Sequence, residues 1–326
     1  MIALHVLTGF LGSGKTTLLS ALLQDPKGER IAVLVNEVGE LALDHHLLER
    51  IDEDILALPS GCICCTMRSE LSEAVERILA LKPDRIVIET TGLADPAPIL
   101  HGLTSDPRFA DLMHVAGVIA VVDASRIETL IDAHPEVRRQ LDLADRIVLT
   151  KGDLVPDRVP LARDTLAVAA PGCAVREADS GRIDSGWLFA PAPLERIRDS
   201  GTAHAWLHHT HGESSFRTHS VQLPAAARID LIQLWLRLVT QLDGHRLLRI
   251  KGLVECSETG DMFVLQSAEH ALSPPRKLAR VPAGVRGVQM VLIERGMPTE
   301  AMSQVIAALR EAVSATPRIE PVRPES

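Results

Sequence analysis

Short apolar segments alternate with longer segments of helical character through the first half of the chain. The apolar segments that predict strands are Ile2–Thr8, Arg30–Val35, Arg85–Glu89, Gly117–Asp123 and Arg146–Thr150. Helices are predicted between several of them, notably at Ser69–Leu81 and Asp132–Ala144. Gly117–Asp123 carries no charge before its last residue, as expected of a strand that is buried on both faces. The alternation predicts an α/β fold, in which helices cover both faces of a mostly parallel sheet.

The pattern changes around residues 191–215, where Pro, Gly and four closely spaced His residues replace the apolar segments, and we interpret this stretch as a linker. A strand, a helix, a hairpin, a strand and a helix are predicted beyond it, at Phe216–Leu223, Ala225–Leu242, Arg246–Cys256 with Met262–Gln266, Gly287–Glu294 and Thr299–Val313. This order predicts a small C-terminal α+β domain. The predicted division is a first domain at 1–190, the linker at 191–215, a second domain at 216–314 and a disordered, Pro-rich tail at 315–326.

Composition narrows the class of protein. The 326 residues are 46% hydrophobic but include no Tyr, five Phe and three Trp, so the core must consist of Leu, Val, Ile and Ala. Scarce aromatic residues and a net charge of −9 argue against nucleic-acid binding. No signal peptide is visible, and the longest apolar run, around Val115–Val122, is too short to cross a bilayer. We therefore expect a cytoplasmic protein with no membrane or nucleic-acid partner.

A phosphate-binding motif, G-x-x-x-x-G-K-[ST], runs from Gly9 to Thr16 and is called the phosphate loop below. It lies between a predicted strand and a predicted helix, which is the context that the motif requires. Glycines let backbone N–H groups surround phosphate oxygens, while Lys15 reaches the outer phosphates and the Thr16 hydroxyl can bind Mg²⁺. The residues predicted to bind the nucleotide here are Gly9, Gly12, Ser13, Gly14, Lys15, Thr16 and Thr17.

The residues Thr150-Lys151-Gly152-Asp153 directly follow a predicted strand and are called the guanine loop. The Asp153 carboxylate can accept two hydrogen bonds from guanine, whereas adenine presents a different donor pattern. Lys151 would lay its aliphatic stem along the base. The alternative is an ordinary turn, since Lys-Gly-Asp is good turn chemistry. Together with a phosphate loop, the position favours guanine recognition.

Glu89 ends another apolar strand and is followed by Thr90, Thr91 and Gly92. An acid at this position can hold Mg²⁺, and the Gly92 N–H can sense the γ-phosphate. The alternative is a surface acid at the end of a strand. Together with the phosphate loop, the pattern makes Lys15 and Glu89 the predicted catalytic residues.

Three thiols, Cys62, Cys64 and Cys65, lie within residues 61–65, called the cysteine segment. Core packing does not explain them, because side chains in so short a segment point in different directions, and a disulfide between adjacent cysteines is strained. Thiolate ligands favour Zn²⁺, Co²⁺ or Cu⁺ over Mg²⁺ and Ca²⁺. Metal binding is therefore predicted, with a redox or a structural role as alternatives.

Two further groups are candidates for metal chemistry. Residues 36–44, called the acidic segment, contain Glu37, Glu40 and Asp44 and fall where a nucleotide-dependent switch is expected. Glu37 is a candidate ligand of the transition metal, although a solvated acidic loop is the alternative. An accessory metal site is predicted in the linker at His204, His208, His209 and His211. The alternative is a flexible polar linker whose histidines have no role.

These motifs together resemble the CobW/YjiA family of metallochaperone GTPases. The matching residues are GFLGSGKTT at 9–17, NEVGE at 36–40, GCICC at 61–65, ETTGLADP at 89–96 and TKGD at 150–153. RIKGLV at 249–254 is similar to the C-terminal domain of the family, and HTHG at 209–212 to a His-bearing segment of some members. The resemblance covers roughly residues 1–310. One departure is Thr150, because the guanine motif of the family commonly begins with Asn.

The resemblance implies a P-loop GTPase of low intrinsic rate that uses GTP and Mg²⁺ and carries a transition metal, Zn²⁺ or Co²⁺. Its partner would be a client metalloprotein or a metal-inserting enzyme, and the chain is compatible with a homodimer. A non-enzymatic metal sensor or storage protein with nucleotide as a structural ligand is the alternative. A small-molecule kinase is a third possibility, against which Lys151 and Asp153 argue.

Overall fold

The computed structural model describes residues 1–24, 28–35, 55–57, 67–109, 111–170, 173–190, 216–278, 281 and 285–315. The chain divides into two compact units, Met1–Pro193 and Leu194–Ser326. Within the described part, none of the helices combines the length and hydropathy that a membrane span requires.

A parallel sheet forms the centre of the first unit. Its strands, β1 to β7, are Ile2–Thr8, Ile31–Val35, Ile55–Ala57, Arg85–Glu89, Met113–Asp123, Arg146–Thr150 and Ala174–Glu177. The spatial order is β3-β2-β4-β1-β5-β6-β7, and each neighbouring pair is parallel. β1 is thus central, and the strands beside it, β4 and β5, come from distant parts of the sequence. This order is reached only if the connections cross over the faces of the sheet.

Helices cover both faces of this sheet, as predicted. Helices α1 to α7 are Lys15–Gln24, Met67–Ala80, Ala97–Ser105, Ile127–Ala133, Pro135–Leu143, Val159–Ala169 and Ser185–Leu188, with a 3₁₀ turn at Pro156–Arg158. Alternating strand residues enter two apolar clusters. Val121 and Val148 pack in one cluster with Leu18 of α1, whereas Val122 packs with α4 to α6 in the other. The α/β prediction for this unit is confirmed.

The prediction of one continuous helix at Asp132–Ala144 was wrong. The structure has two helices here, because α4 ends at Ala133 and α5 begins at Pro135. His134 between them is extended, with φ −130° and ψ 108°. A proline disfavours helical dihedrals at the residue before it, which explains the break.

The second unit is an antiparallel sheet with two helices. Strands β8 to β13 are Phe216–Leu223, Leu247–Glu255, Met262–Ala268, Ala271–Leu272, Arg276–Lys277 and Val288–Arg295, and helices α8 and α9 are Ile229–Asp243 and Thr299–Ser314. The strand order is β11-β10-β9-β13-β8, with β12 paired to β10. β9 and β10 form the predicted hairpin. Trp235 and Leu236 of α8 and Leu309 of α9 pack in one apolar cluster with the sheet, which confirms the α+β prediction.

Candidate functional site

The carboxyl ends of the parallel strands gather the predicted site residues at one edge of the first sheet, since all strands of a parallel sheet end on the same side. Moving from β4 through β1 and β5 to β6, these ends are Glu89, the phosphate loop, Asp123 and the guanine loop. On the other side of β4, strand β2 leads into the acidic segment, and the edge strand β3 precedes the cysteine segment in the chain.

The phosphate loop has a backbone that requires its glycines. Gly9, Gly12 and Gly14 have φ values of 147°, 72° and 92°, which side-chain-bearing residues rarely adopt. A Cβ on Gly9 would also lie 2.3 Å from the carbonyl oxygen of Val121 on β5. Helix α1 begins at Lys15, within the last two residues of the loop, so the N–H groups of its first turn lie at the loop. The loop therefore has the shape of an anion cradle.

Two side chains of the loop are positioned for a phosphate ligand. The Lys15 ammonium donates hydrogen bonds to the carbonyl oxygens of Gly9 at 2.8 Å and Phe10 at 3.4 Å, so it lies over the loop. The Ser13 hydroxyl is buried and has no hydrogen-bond partner among the described residues. An orphaned buried hydroxyl beneath such a cradle fits a site made for an oxygen-rich anion. Thr17, by contrast, is exposed and lies beside Gly181.

Thr16, in the first turn of α1, contacts Glu89 at the carboxyl end of β4. The Thr16 hydroxyl donates a hydrogen bond to Oε1 of Glu89 at 2.9 Å, and Glu89 is only 5% exposed. The contact arises because β1 and β4 are parallel neighbours, with Leu7 opposite Glu89. A hydroxyl beside a buried carboxylate supplies the hard oxygen donors that Mg²⁺ prefers. This donor set fits the predicted magnesium site.

The segment that follows Glu89 packs tightly on the phosphate loop. A Cβ on Gly92 would lie 2.6 Å from both the backbone nitrogen and Cδ2 of Leu11. Only glycine leaves room for this approach. The predicted γ-phosphate-sensing residue therefore lies in direct contact with the phosphate loop.

The guanine loop is tied to the phosphate loop. The Thr150 hydroxyl, 4% exposed, donates to the Ser13 carbonyl oxygen at 2.6 Å and also lies 3.0 Å from the carbonyl oxygen of Val122. Lys151 has a left-handed φ of 59°, and its ammonium lies 2.7 Å from Oδ2 of Asp123. Asp153 is exposed. A threonine thus ties the guanine loop to the phosphate loop.

Sequence reasoning missed Asp123 as a member of the site. It is 2% exposed and also accepts hydrogen bonds from the backbone N–H and hydroxyl of Ser125, at 2.9 and 2.6 Å. Burial acts to raise the pKa of the Asp123 carboxyl, but the hydrogen bonds from Lys151 and Ser125 outweigh it and leave that pKa below its usual value. The sequence did contain a signal for Asp123, because it is an acid that ends a buried strand, as Glu89 is.

Arg126 was also missed. Its Nε lies 3.2 Å from Oδ2 of Asp123, and its Nη2 donates to the carbonyl oxygen of Leu11 at 3.1 Å. The guanidinium therefore links Asp123 to the phosphate loop. Together, Lys151, Asp123 and Arg126 form a continuous polar connection between the guanine loop and the phosphate loop.

The predicted transition-metal ligands lie outside the described residues. These are Glu37, Cys62, Cys64, Cys65, His204, His208, His209 and His211. The predicted linker and all but the first residue of the predicted tail lie outside them as well. Among the residues that are described, no group of three or more His, Cys, Asp or Glu side chains could hold a metal ion.

Comparison with known proteins identifies the family. Residues 3–170 match the family model described as "CobW/HypB/UreG, nucleotide-binding domain". Residues 216–310 match "Cobalamin synthesis protein cobW C-terminal domain". The two matches lie in the two compact units and confirm the resemblance that the motifs indicate.

Individual relatives agree with this result. The "Zinc chaperone YjiA" of Escherichia coli strain K12 is 39% identical over 194 residues, which cover 58% of this chain and 61% of the relative. The aligned segment thus spans less than two thirds of that protein. The "Zinc chaperone CobW" of Pseudomonas aeruginosa is 32% identical over 289 residues, which cover 76% of this chain and 75% of the relative.

A solved structure shares the fold. The crystal structure of Zn(II)-bound YjiA GTPase from E. coli matches with a TM-score of 0.62 and 24% sequence identity, covering 95% of this chain and 98% of that chain. At this identity the match shows a common fold. On the strength of the two family models and the relatives, the chain belongs to the CobW/HypB/UreG family.

Proposed function

We propose that this protein is a GTP-hydrolysing metallochaperone. It binds GTP and Mg²⁺ at the carboxyl edge of the parallel sheet and carries a transition metal, zinc or cobalt, on the cysteine segment. It delivers that metal to a client metalloprotein or a metal-inserting enzyme. The observation that carries the proposal is the meeting of the phosphate loop, Glu89 and the guanine loop at one edge, beside the strands that lead to the candidate metal ligands.

The phosphate site supports hydrolysis rather than nucleotide binding alone. Lys15 would turn from the loop carbonyls to the outer phosphates, where its charge stabilises the transition state more than the ground state. Thr16 and Glu89 would hold Mg²⁺, which neutralises charge on the phosphate oxygens when it is bound. Gly92 would present its N–H to the γ-phosphate from its place against Leu11.

The guanine loop supports GTP over ATP. Asp153 is exposed and so is free to accept hydrogen bonds from a guanine base. The salt bridge to Asp123 would hold Lys151 ready to lie along that base. The Thr150 tether fixes the distance between the base end and the phosphate end of the site. An adenine would leave the Asp153 carboxylate without its donors, which is a strong basis for discrimination.

The metal cargo is supported by the thiol chemistry and by the names of the relatives. Two of them, in E. coli and P. aeruginosa, are named zinc chaperones. β2 lies next to β4, and β3 lies next to β2 at the edge of the sheet; in the sequence, β2 precedes the acidic segment and β3 precedes the cysteine segment. A nucleotide that moves Glu89 and its neighbours would therefore act close to the ends of β2 and β3, from which the chain continues toward both segments. Binding and hydrolysis of GTP would load and release the metal by shifting that equilibrium.

Phosphate release with GTP and ATP tests the proposal. The protein should release phosphate from GTP much faster than from ATP, and Lys15→Ala should abolish the release without unfolding the protein. Lys82→Ala, which alters an exposed lysine of the same unit, is the matched control and should leave the rate unchanged. Near-normal release by Lys15→Ala, or equal use of ATP, would reject the GTPase. Absence of phosphate release by the unmodified protein would favour a metal sensor or storage protein instead.

A further inference from the structure

Gln140 is a buried polar residue of α5 that lies outside the nucleotide machinery. It is 2% exposed. Its Nε2 donates hydrogen bonds to the carbonyl oxygens of Gly92 at 3.1 Å and Ala94 at 3.2 Å. Since both partners are carbonyls, the side chain must present its NH₂ group, and both N–H bonds are used.

The segment that Gln140 holds is residues 90–94, called the sensor loop. On one side, Gly92 packs against the backbone of Leu11 with no space for a Cβ. At its start, the loop follows Glu89, which accepts the hydrogen bond from Thr16. At its end, Ala94 is 4% exposed. The sensor loop is therefore clamped between the phosphate loop and Gln140.

Helix α5 is a firm support for this clamp. Its residues Val137 and Leu141 are buried in the apolar cluster that also contains Ile127 and Leu149. Next to Gln140, Nε of Arg139 lies 3.8 Å from the Asp95 carboxylate, just beyond the sensor loop. Movement of the sensor loop away from the phosphate loop would break both hydrogen bonds of Gln140 or would disturb the packing of α5.

We propose that Gln140 is a positioning residue that fixes the Gly92 N–H where it meets the γ-phosphate, so that the protein distinguishes GTP from GDP. This inference rests on the proposed GTPase function and deepens it. Without the Gln140 amide, the carbonyl oxygens of Gly92 and Ala94 lose their donors, and the sensor loop can adopt other conformations. GDP makes no contact that needs the sensor loop, so its affinity should change little. A loss of affinity for GTP but not for GDP therefore distinguishes a positioning role of Gln140 from a general contribution to the stability of the fold.

Affinities for a non-hydrolysable GTP analogue and for GDP, both with Mg²⁺, test this role by calorimetry. Gln140→Met keeps the side-chain volume and removes both donors, and it should lower the ratio of analogue to GDP affinity about tenfold. Gln140→Glu keeps the shape and leaves at most one donor, so its ratio should fall in the same direction. Leu166 lies on α6 in the same apolar cluster. The variant Leu166→Ala is the control for a general loss of stability, and it should leave the ratio unchanged.

The outcomes separate the two proposals. An unchanged ratio in both Gln140 variants, or an equal fall in both affinities, overturns the positioning role while the GTPase function stands. An equal fall of the ratio in Leu166→Ala overturns it too, because any loss of stability would then have the same effect. Failure of the unmodified protein to bind either nucleotide overturns both proposals.

Discussion

The Thr150 hydroxyl lies 2.6 Å from the carbonyl oxygen of Ser13, so the strand that carries the guanine loop is fastened to the middle of the phosphate loop. The two residues are 137 positions apart in the chain. The contact connects the two ends of the candidate nucleotide site. It is made by a threonine at the position where the guanine motif of the family commonly has asparagine.

Thr150→Val should weaken nucleotide binding. The substitution preserves the shape but removes the donor, which leaves the buried Ser13 carbonyl oxygen without it, at a cost of about 1–3 kcal/mol. We expect GTP and GDP affinity to fall by about tenfold alike, because the tether supports the whole site. Thr150→Ser keeps the hydroxyl and is the matched control. Calorimetric titration of both variants measures the effect, and normal binding by Thr150→Val would show that the tether has no role in the site.

Asp153→Ala should reduce GTP affinity while the weak affinity for ATP stays as it is. The loss should be on the order of 2–4 kcal/mol, because a charged double acceptor for the guanine N–H groups is removed. Competition binding with GTP, ATP and inosine triphosphate measures it. Inosine lacks the exocyclic amine, so its affinity should fall between those of GTP and ATP in the unmodified protein.

Asp157→Ala is the control for this test. Asp157 is exposed and lies in the 3₁₀ turn shortly after the guanine loop, so the variant makes the same change of charge nearby. Its GTP affinity should equal that of the unmodified protein. Equal losses in the two variants would mean that general electrostatics, and not base recognition, accounts for the role of Asp153.

Because the pKa of His5 is lowered in the folded protein, we expect the free energy of unfolding to depend on pH below neutrality. Burial, followed by the positive charge of Arg85, lowers the pKa of His5 well below its ordinary value of 6.5. The folded protein therefore keeps His5 neutral in a range where the unfolded chain is protonated. As the pH falls below 6.5, the free energy of unfolding should decrease by about 1.4 kcal/mol per pH unit from this group, until the folded-state pKa is reached.

Denaturant unfolding between pH 5 and 7 at about ten pH values tests this prediction. His5→Gln removes the titrating group and should flatten the slope by that amount. His134→Gln, which changes the residue between α4 and α5, is the control for the general effect of losing a histidine. An unaltered slope in His5→Gln would show that other groups govern the acid response.

Local sequence patterns predicted most of the first unit. The phosphate loop and Glu89 were found because each combines a buried strand with chemistry at its end. The strand β3 was missed since it has only three residues, Ile55–Ala57, too few to show a period. The break at His134 was missed although Pro135 signals it, because the apolar spacing continues across both helices.

The polar connections within the site could not be predicted in the same way. Gln140 holds Gly92 across 48 residues of sequence, and nothing in the sequence around either residue indicates the contact. Arg126 reaches Leu11 across 115 residues. Such contacts depend on which strands become neighbours, here β1 beside both β4 and β5, and on the register between them. Motifs specify the chemistry, whereas the fold decides which side chains support it.

The most direct test of the account is the affinity of the cysteine segment for Zn²⁺ with a non-hydrolysable GTP analogue and Mg²⁺, with GDP and without nucleotide, measured by chelator competition. The analogue should raise the affinity relative to GDP by about 5–150-fold, and Zn²⁺ should tighten binding of the analogue by the same factor, because linkage is reciprocal. Replacing Cys62, Cys64 and Cys65 together by Ser should remove this coupling and leave GTP binding nearly intact. Identical Zn²⁺ affinity in all three nucleotide states would contradict a GTP-driven cycle and would favour static metal binding.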